Sequence, residues 1–304
     1  MGNTIRQHYV PRTYLKRFTF DGKRLHTFFI KENMPTIITE VNRKNFIKEV
    51  SLKDVCVSSN YYTIDESNSS NNRGLSAMSL EKDFFQNFAE PKLSSSIKTI
   101  NEIAKQFIHD KQIILPLKYT YKHYYDLALC AFIQYHRSPR LRRPIEAIDS
   151  IITQILNKKS EGKIMTNKGL DIAFTHAEKT FLNLHLWNMF FQKISSYCML
   201  IRYSENSNFF TSDNPVVIHK LGAKGKDIFN VNFYKDDFSL FYPLTPNLIL
   251  EYYNPQYFPD AINMDGTISL VNSDYENQVN KYQYINAEKF VFSYKNDFSL
   301  FLNR

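Results

Sequence analysis

The sequence has few cysteines and few glycines. Its three cysteines, Cys56, Cys130 and Cys198, are odd in number and far apart, which excludes a disulfide scaffold and offers no paired spacing for zinc or redox chemistry. Eight glycines in 304 residues exclude a collagen-like chain. A phosphate-binding glycine loop, a dinucleotide turn, a nucleophile elbow, a zinc-protease motif and the kinase motifs are all missing. These absences count against the enzyme classes that such motifs mark.

Long apolar segments are also missing. The longest runs, such as residues 127–133 and 187–194, end well short of the roughly 20 residues that span a bilayer. The first residues lack the apolar core of a signal peptide, and Arg6 stands where an N-myristoylation pattern requires Ser or Thr. We therefore expect a soluble, cytoplasmic protein with no membrane partner.

The composition is that of a folded, basic protein. With 43% hydrophobic and 15% aromatic residues, the chain has enough apolar surface for a full core. A net charge of +8 favours polyanionic partners. The excess of Lys, Asn, Ile, Tyr and Phe is typical of an AT-rich genome, so genome composition accounts for part of the positive charge. Local clustering is more informative, because four of the twelve arginines lie between Arg137 and Arg143.

Hydrophobic patterning divides the chain into segments. Residues 1–65 are β-rich, with strand-like runs at 24–30 and 35–41. The segment 66–78 begins in a polar, low-complexity run, so we expect a surface loop there. Residues 79–200 have apolar residues every three to four positions, which predicts a helical region.

The helical and C-terminal parts suggest an α+β fold. Four isoleucines at helical spacing predict a buried stripe: Ile145, Ile148, Ile152 and Ile155. Residues 201–304 mix strands with one helix, and their candidate elements are strands at 199–203, 215–219, 238–242, 248–253 and 290–294 and a helix at 271–290. We expect this part to pack with residues 1–65 as one compact unit.

The N-terminal motif QHYVPR at residues 7–12, followed by Tyr14, is the first segment that suggests chemistry. Pro11 restricts the backbone between His8 and Arg12. In one interpretation the aromatic residues anchor the chain end and His8 completes a hydrogen-bond network. In the other, His8 is a general acid or base, because its ordinary pKa suits proton transfer near neutrality.

The arginine cluster follows an apolar helix. Gln134 and Arg137 fall on one helix face, and Pro139 predicts a break before Arg140, Arg142 and Arg143. These arginines either form a solvated basic surface or contact phosphates, for which the guanidinium fork is well suited.

The loop TSDNP at residues 211–215 lies between two predicted strands. Asp and Asn before Pro are typical of turns, so Asp213 and Asn214 have a structural explanation. A carboxylate on a loop at a sheet edge also suits metal binding or proton transfer. Both interpretations are open.

Glu81 and Glu90 lie on the first predicted helix. Nine residues along an α-helix separate them by roughly 13 Å, so they cannot share a metal ion unless the chain bends near Pro91. We expect each to be a surface residue or a partner of an arginine.

Together these motifs resemble a bacterial family of unknown function, domain-of-unknown-function family 4238, over nearly the whole chain. The resemblance is carried by QHYVPR, by Gln134-x-x-Arg137-x-x-Arg140, by TSDNP and by YPLTP at residues 242–246. It implies no reaction, but it implies that the motif residues converge: His8, Arg12, Arg137, Ser212, Asp213 and Asn214.

If these residues converge, they would suit the hydrolysis of phosphodiester bonds in nucleic acid. Such an activity would serve host defence or toxicity. Asp213 or Glu90 would orient water or bind a divalent metal ion, His8 would transfer a proton, and Arg137 would stabilise charge on the phosphate. The phosphate-binding residues would be Arg12, Gln134, Arg140, Arg142 and Arg143, and the residues shaping the site would be Tyr9, Tyr14, Ser212 and Asn214. The sequence assigns neither a particular metal nor an oligomeric state.

Two other classes compete with hydrolysis. In the first, the arginines bind nucleic acid or another anionic ligand without catalysis, while aromatic residues such as Tyr135 stack on bases. In the second, the protein is a structural interaction partner and the motif side chains are scattered among unrelated neighbours.

Overall fold

A computed structural model describes residues 5–32, 34–35, 37–66, 74–110, 121–159, 170–224, 231–233 and 235–302. Most of the polar run predicted as a surface loop, residues 67–73, lies outside these ranges. The strands are β1 (Arg6–His8), β2 (Arg24–Phe29), β3 (Ile47–Ser51), β4 (Val57–Ser59), β5 (Cys198–Tyr203), β6 (Thr211–Ser212), β7 (Val217–Lys220), β8 (Phe238–Thr245), β9 (Leu248–Tyr253), β10 (Thr267–Leu270) and β11 (Phe290–Ser293). The helices are α1 (Arg12–Leu15), α2 (Glu40–Arg43), a π-helical segment (Ser79–Ala89) that continues as α3 (Glu90–Asp110), α4 (Tyr121–His136), α5 (Pro139–Lys159), α6 (Ile172–Lys179), α7 (Leu184–Ile194) and α8 (Ser273–Asn286).

The fold is α+β, as the patterning predicts, and strands from the two ends of the chain share a sheet. The order in the four-stranded sheet is β3-β2-β11-β6, so β11 pairs with β2 on one side and with β6 on the other. The short strands β1 and β4 pair separately. In the sequence, the helical region lies between strands β1–β4 and strands β5–β11.

The second sheet, of order β10-β5-β9-β8-β7, separates two layers of helices. Alternate residues of a strand face opposite sides of a sheet. Leu240 and Tyr242 of β8 pack in the large core with the helical region, whereas Phe241 packs in a smaller cluster with Val279 of α8. The helix α8 therefore covers the face opposite the helical region.

Two local predictions are wrong. The described residues within 35–41 contain no strand, since α2 begins at Glu40 and the strand beside β2 is β3. The charged residues Lys48 and Glu49 obscured β3 in the sequence, and β3 tolerates them because it is the edge of its sheet.

The isoleucine stripe of α5 is not buried, because Ile148 and Ile155 are exposed and Ile145 and Ile152 are only half-buried. Ile148 and Ile155 are 52% and 48% exposed. Helical spacing indicates an apolar face but does not say whether another element covers it. None of the helices in the described ranges combines the length and the apolar character that crossing a membrane requires.

Candidate functional site

Arg137 follows α4 directly and is buried inside the protein, with 2% of its surface exposed. Its Nη2 donates to the His8 carbonyl oxygen at 2.5 Å, and its Nη1 lies 3.4 Å from Glu90 Oε1. Its Nε lies 3.4 Å from the Tyr62 hydroxyl, and the guanidinium is 4.0 Å from the centre of the Phe85 ring. Each guanidinium nitrogen therefore has a protein partner, and the side chain holds distant segments together.

The π-helical segment explains why Glu81 and Glu90 both lie near Arg137. In α-helical geometry nine residues make two and a half turns, which would put Glu81 and Glu90 on opposite sides. A π-helix bonds five residues ahead, so fewer turns separate the two side chains. Burial raises the pKa of Glu81 and the Arg137 charge opposes that rise, so Glu81 lies within electrostatic range of Arg137.

Two glutamines fix the N-terminal motif through backbone groups. Gln7 Oε1 accepts from the Tyr62 backbone N–H at 2.6 Å, and Gln134 Nε2 donates to the Tyr9 carbonyl at 3.2 Å. His8 lies between Gln7 and Tyr9 and presents its carbonyl to Arg137. Its imidazole is half-buried, and burial together with the charges of Arg12 and Arg6 lowers its pKa.

The remaining residues of the N-terminal motif divide between core and surface. The Tyr14 hydroxyl lies 2.6 Å from both Thr211 Oγ1 and the Pro243 carbonyl, so it joins this motif to the TSDNP loop. Tyr9 packs against the Tyr61 ring and is buried. Arg12 is exposed.

A row of polar side chains on α8, which sequence reasoning missed, holds the TSDNP loop. The Ser212 hydroxyl donates to Gln283 Oε1 at 2.9 Å, and Gln283 Nε2 donates to the Pro215 carbonyl at 2.8 Å. Asn286 Nδ2 donates to the Asn214 carbonyl at 2.8 Å. We call this row, with Glu276 and Asn280, the α8 amide row; its three- and four-residue spacing is the signal that could have revealed it.

Asp213 fixes the turn that follows α8. Its two carboxylate oxygens accept from the backbone N–H groups of Glu288 and Lys289 at 2.9 and 2.8 Å. Burial raises the pKa of Asp213 to about 7, and these two backbone donors oppose that rise. The carboxylate therefore positions residues 288–289 instead of facing solvent.

The three later arginines separate in space. Arg142 is buried, donates to the Tyr61 carbonyl and lies 4.0 Å from the centre of the Tyr61 ring. Arg143 is more than half exposed and pairs with Glu288. Arg140 is exposed, and its guanidinium makes no hydrogen bond or ion pair with any of the described residues.

Arg140 and Arg143 line a surface cleft of about 1290 Å³. One part of the lining is basic: Lys31, Arg140, Arg143 and Lys289. Another part is apolar and aromatic: Phe29, Ile30, Tyr282, Ile285 and Phe290. Two carboxylates, Glu32 and Glu288, also line the cleft. Burial raises the pKa of Glu288, and the charges of Arg143, Arg140 and Lys289 oppose that rise. We call this cavity the basic cleft.

The sequence motifs thus meet as a scaffold around the basic cleft. Arg137 holds the end of α4 just before Arg140, and Asp213 holds the turn that contains Lys289. In the described ranges no hydrogen bond or ion pair joins the His8 imidazole, the Arg137 guanidinium and the Asp213 carboxylate to one another. The same ranges contain no group of three or more His, Cys, Asp or Glu placed to hold a metal ion.

Sequence reasoning missed most of the cleft. Lys31, His219, Tyr282 and Lys289 come from separate elements, and no motif marks them. The one indirect signal was TSDNP, because the loop holds the turn on which Lys289 lies.

Acid is expected to destabilise the protein through His136, which precedes Arg137. Burial lowers the pKa of His136 to about 4 from its ordinary 6.5, so the folded state keeps the imidazole neutral while the unfolded chain takes up a proton. The contribution of neutral His136 to the free energy of unfolding is complete above pH 6.5 and is lost as the pH falls towards 4. At about 1.4 kcal/mol per pH unit, wild-type protein should lose about 2–3 kcal/mol more than His136→Gln between pH 7 and pH 4.5.

Urea unfolding of both proteins at several pH values measures this difference. The glutamine keeps an amide donor for the Phe132 carbonyl, which the imidazole Nδ1 contacts at 2.8 Å. Parallel pH profiles for the two proteins would contradict the prediction.

Comparison with known proteins places the chain by family. One family model, described as "Protein of unknown function (DUF4238)", matches residues 6–297. No curated protein and no solved structure matches the chain.

Proposed function

The chain belongs to the DUF4238 family, and on that premise we propose that it binds single-stranded nucleic acid in the basic cleft. The observation that carries the proposal is the exposed Arg140 guanidinium, which has no partner among the described residues and lines the cleft with Arg143, Lys31 and Lys289. Guanidinium and ammonium groups that line one cleft suit the phosphates of a strand.

The aromatic residues that line the cleft favour a nucleic-acid strand over a small anion as the ligand. Phe29, Phe290 and Tyr282 offer aromatic surface beside the basic groups. Proteins that bind single strands combine a positive groove with aromatic side chains on which bases stack. Phosphate groups would meet Arg140 and Arg143 while unpaired bases meet the aromatic side.

Arg140→Gln is expected to weaken binding of a labelled single-stranded oligonucleotide about tenfold at low salt, since one charge-assisted phosphate contact is lost. The slope of log affinity against log salt should also become shallower by about 0.7, the share of one phosphate in a single strand. Fluorescence anisotropy over a salt series measures both quantities.

Arg6→Gln is the matched control. Arg6 is also a surface arginine, its side chain is 57% exposed, and it pairs with one carboxylate, Asp54, outside the cleft. The control should bind like wild type. Equal affinities and equal salt slopes for wild type, Arg140→Gln and Arg6→Gln would overturn the proposal.

Hydrolysis of the bound strand has less support. The groups suggested for it, Arg137 and Asp213, are buried and hydrogen-bonded to the protein itself. A cleavage screen on RNA and DNA with Mg²⁺ or Mn²⁺ separates the two functions. An intact strand agrees with binding alone, whereas cleavage that disappears in His8→Ala would favour a hydrolase.

A further inference from the structure

A second cavity, of about 290 Å³, lies between α8 and the five-stranded sheet. Its walls are largely aromatic: Phe241, Tyr253, Phe258, Tyr275 and Tyr282. The Phe241 and Tyr282 ring centres are 5.4 Å apart, and those of Tyr253 and Phe258 are 4.9 Å apart. We call this cavity the aromatic pocket.

Two polar atoms in the aromatic pocket lack partners. Ser239 is 1% exposed, and its hydroxyl oxygen is buried without a hydrogen bond to the described residues. The Tyr275 hydroxyl is likewise buried and unpaired within that part of the chain. Buried polar groups are rarely left unsatisfied, because each costs roughly 1–3 kcal/mol. Their position in a cavity wall therefore points to a ligand that carries complementary polar atoms.

The aromatic pocket adjoins the basic cleft. His219 and Tyr282 line both cavities, and α8 contributes to both walls. The rings of these two side chains, whose centres are 5.1 Å apart, form the boundary between the two cavities, so a strand held by the arginines of the cleft would lie beside the pocket.

We propose that the aromatic pocket is a base-binding subsite, which takes one heteroaromatic base of the strand whose phosphates lie in the basic cleft. The proposal rests on the proposed function. Ring faces offer stacking partners, and the hydroxyls of Ser239 and Tyr275 can donate to or accept from the edge of a base.

The charges of the pocket favour a base over an organic cation. Aromatic cages also bind quaternary ammonium groups. None of the described residues that line this pocket is Asp or Glu, whereas Lys220 and His219 are among them. The Lys220 ammonium pairs with Asp236 outside the pocket at 2.9 Å, so a bound cation would find no carboxylate in the described lining as its counter-ion, whereas a neutral base tethered to phosphate needs none.

The test compares two labelled oligonucleotides of equal length, one normal and one abasic, which carry the same phosphates. The normal strand is expected to bind about tenfold more tightly, in line with stacking of one base. Ser239→Ala and Tyr275→Phe each remove one unpaired hydroxyl and little else, so both should fold. Each should weaken the normal strand several-fold and leave the abasic strand unchanged, whereas Arg140→Gln should weaken both strands.

Ala223→Phe provides an independent check, because Ala223 lines the aromatic pocket outside any strand or helix. The larger side chain should fill the pocket and lower the affinity for the normal strand towards that for the abasic strand, and the difference that remains measures stacking of bases in the basic cleft. Equal binding of the two strands by wild type, with Arg140→Gln weakening both, would overturn the subsite and leave the proposed function standing. Failure of wild type to bind either strand would overturn both.

Discussion

Arg137→Met is expected to lower the free energy of unfolding by about 3–5 kcal/mol, the range for breaking a buried ion pair by removing one partner. Methionine fills much of the same volume but leaves Glu90 Oε1 and the His8 carbonyl without their donor. The ring faces of Phe85 and Tyr62 lose their cation as well. Urea unfolding measures the change.

Arg140→Met is the matched control for this substitution. It lies three residues further along the chain, is exposed and makes no ion pair with the described residues, so we expect a change within about 0.5 kcal/mol. A cycle with Glu90→Gln tests the pair directly. The loss of stability in the double variant should be smaller than the sum of the losses in the two single variants. In the double variant, Glu90→Gln leaves a neutral amide instead of an unpaired carboxylate at this position. A loss below about 1 kcal/mol in Arg137→Met would show that Arg137 is not a structural centre.

Asp213→Ala should cost about 3 kcal/mol, because two backbone N–H groups lose charge-assisted bonds at once. Asp213→Asn should cost less, since the amide oxygen still accepts one of the two bonds. Thermal or urea unfolding measures both variants. The surface variant Asp54→Ala, which removes a half-exposed carboxylate paired with Arg6, should change stability by less than about 1 kcal/mol.

Asp213→Asn also tests the link between the TSDNP loop and the cleft. The carboxylate holds the turn that carries Lys289, so a folded Asp213→Asn protein should bind the oligonucleotide more weakly than wild type. Unchanged affinity in a variant that has lost stability would mean that the turn keeps its position without the carboxylate.

Much of the fold could be predicted, because helices and strands are indicated by the spacing of apolar residues within short segments of the sequence. The run LILEYY was expected as a strand and forms β9 with the predicted limits, and the apolar repeat before Pro139 forms α4. Pro139 separates two helices, as a residue without a backbone N–H is expected to do. The α+β order follows from such elements.

The candidate site could be predicted only in part, because burial depends on the tertiary structure. Arginine is seldom fully buried, so no local pattern places Arg137 inside and Arg140 outside. The π-helical segment was equally hidden, and α-helical geometry puts Glu81 and Glu90 too far apart to share a partner. The basic cleft combines residues from distant elements, such as Lys31 and Lys289, whose proximity no local pattern encodes.

The shared sheet has a consequence during synthesis on the ribosome. Strands β2 and β3 emerge early, but β2 pairs on its other side with β11, more than two hundred residues later. Until β11 leaves the exit tunnel, the edge of β2 with which β11 pairs is open, and this edge can pair with other nascent chains. Synthesis of β11 is therefore the step that completes this sheet, and chains cut short before residue 290 should be prone to aggregate.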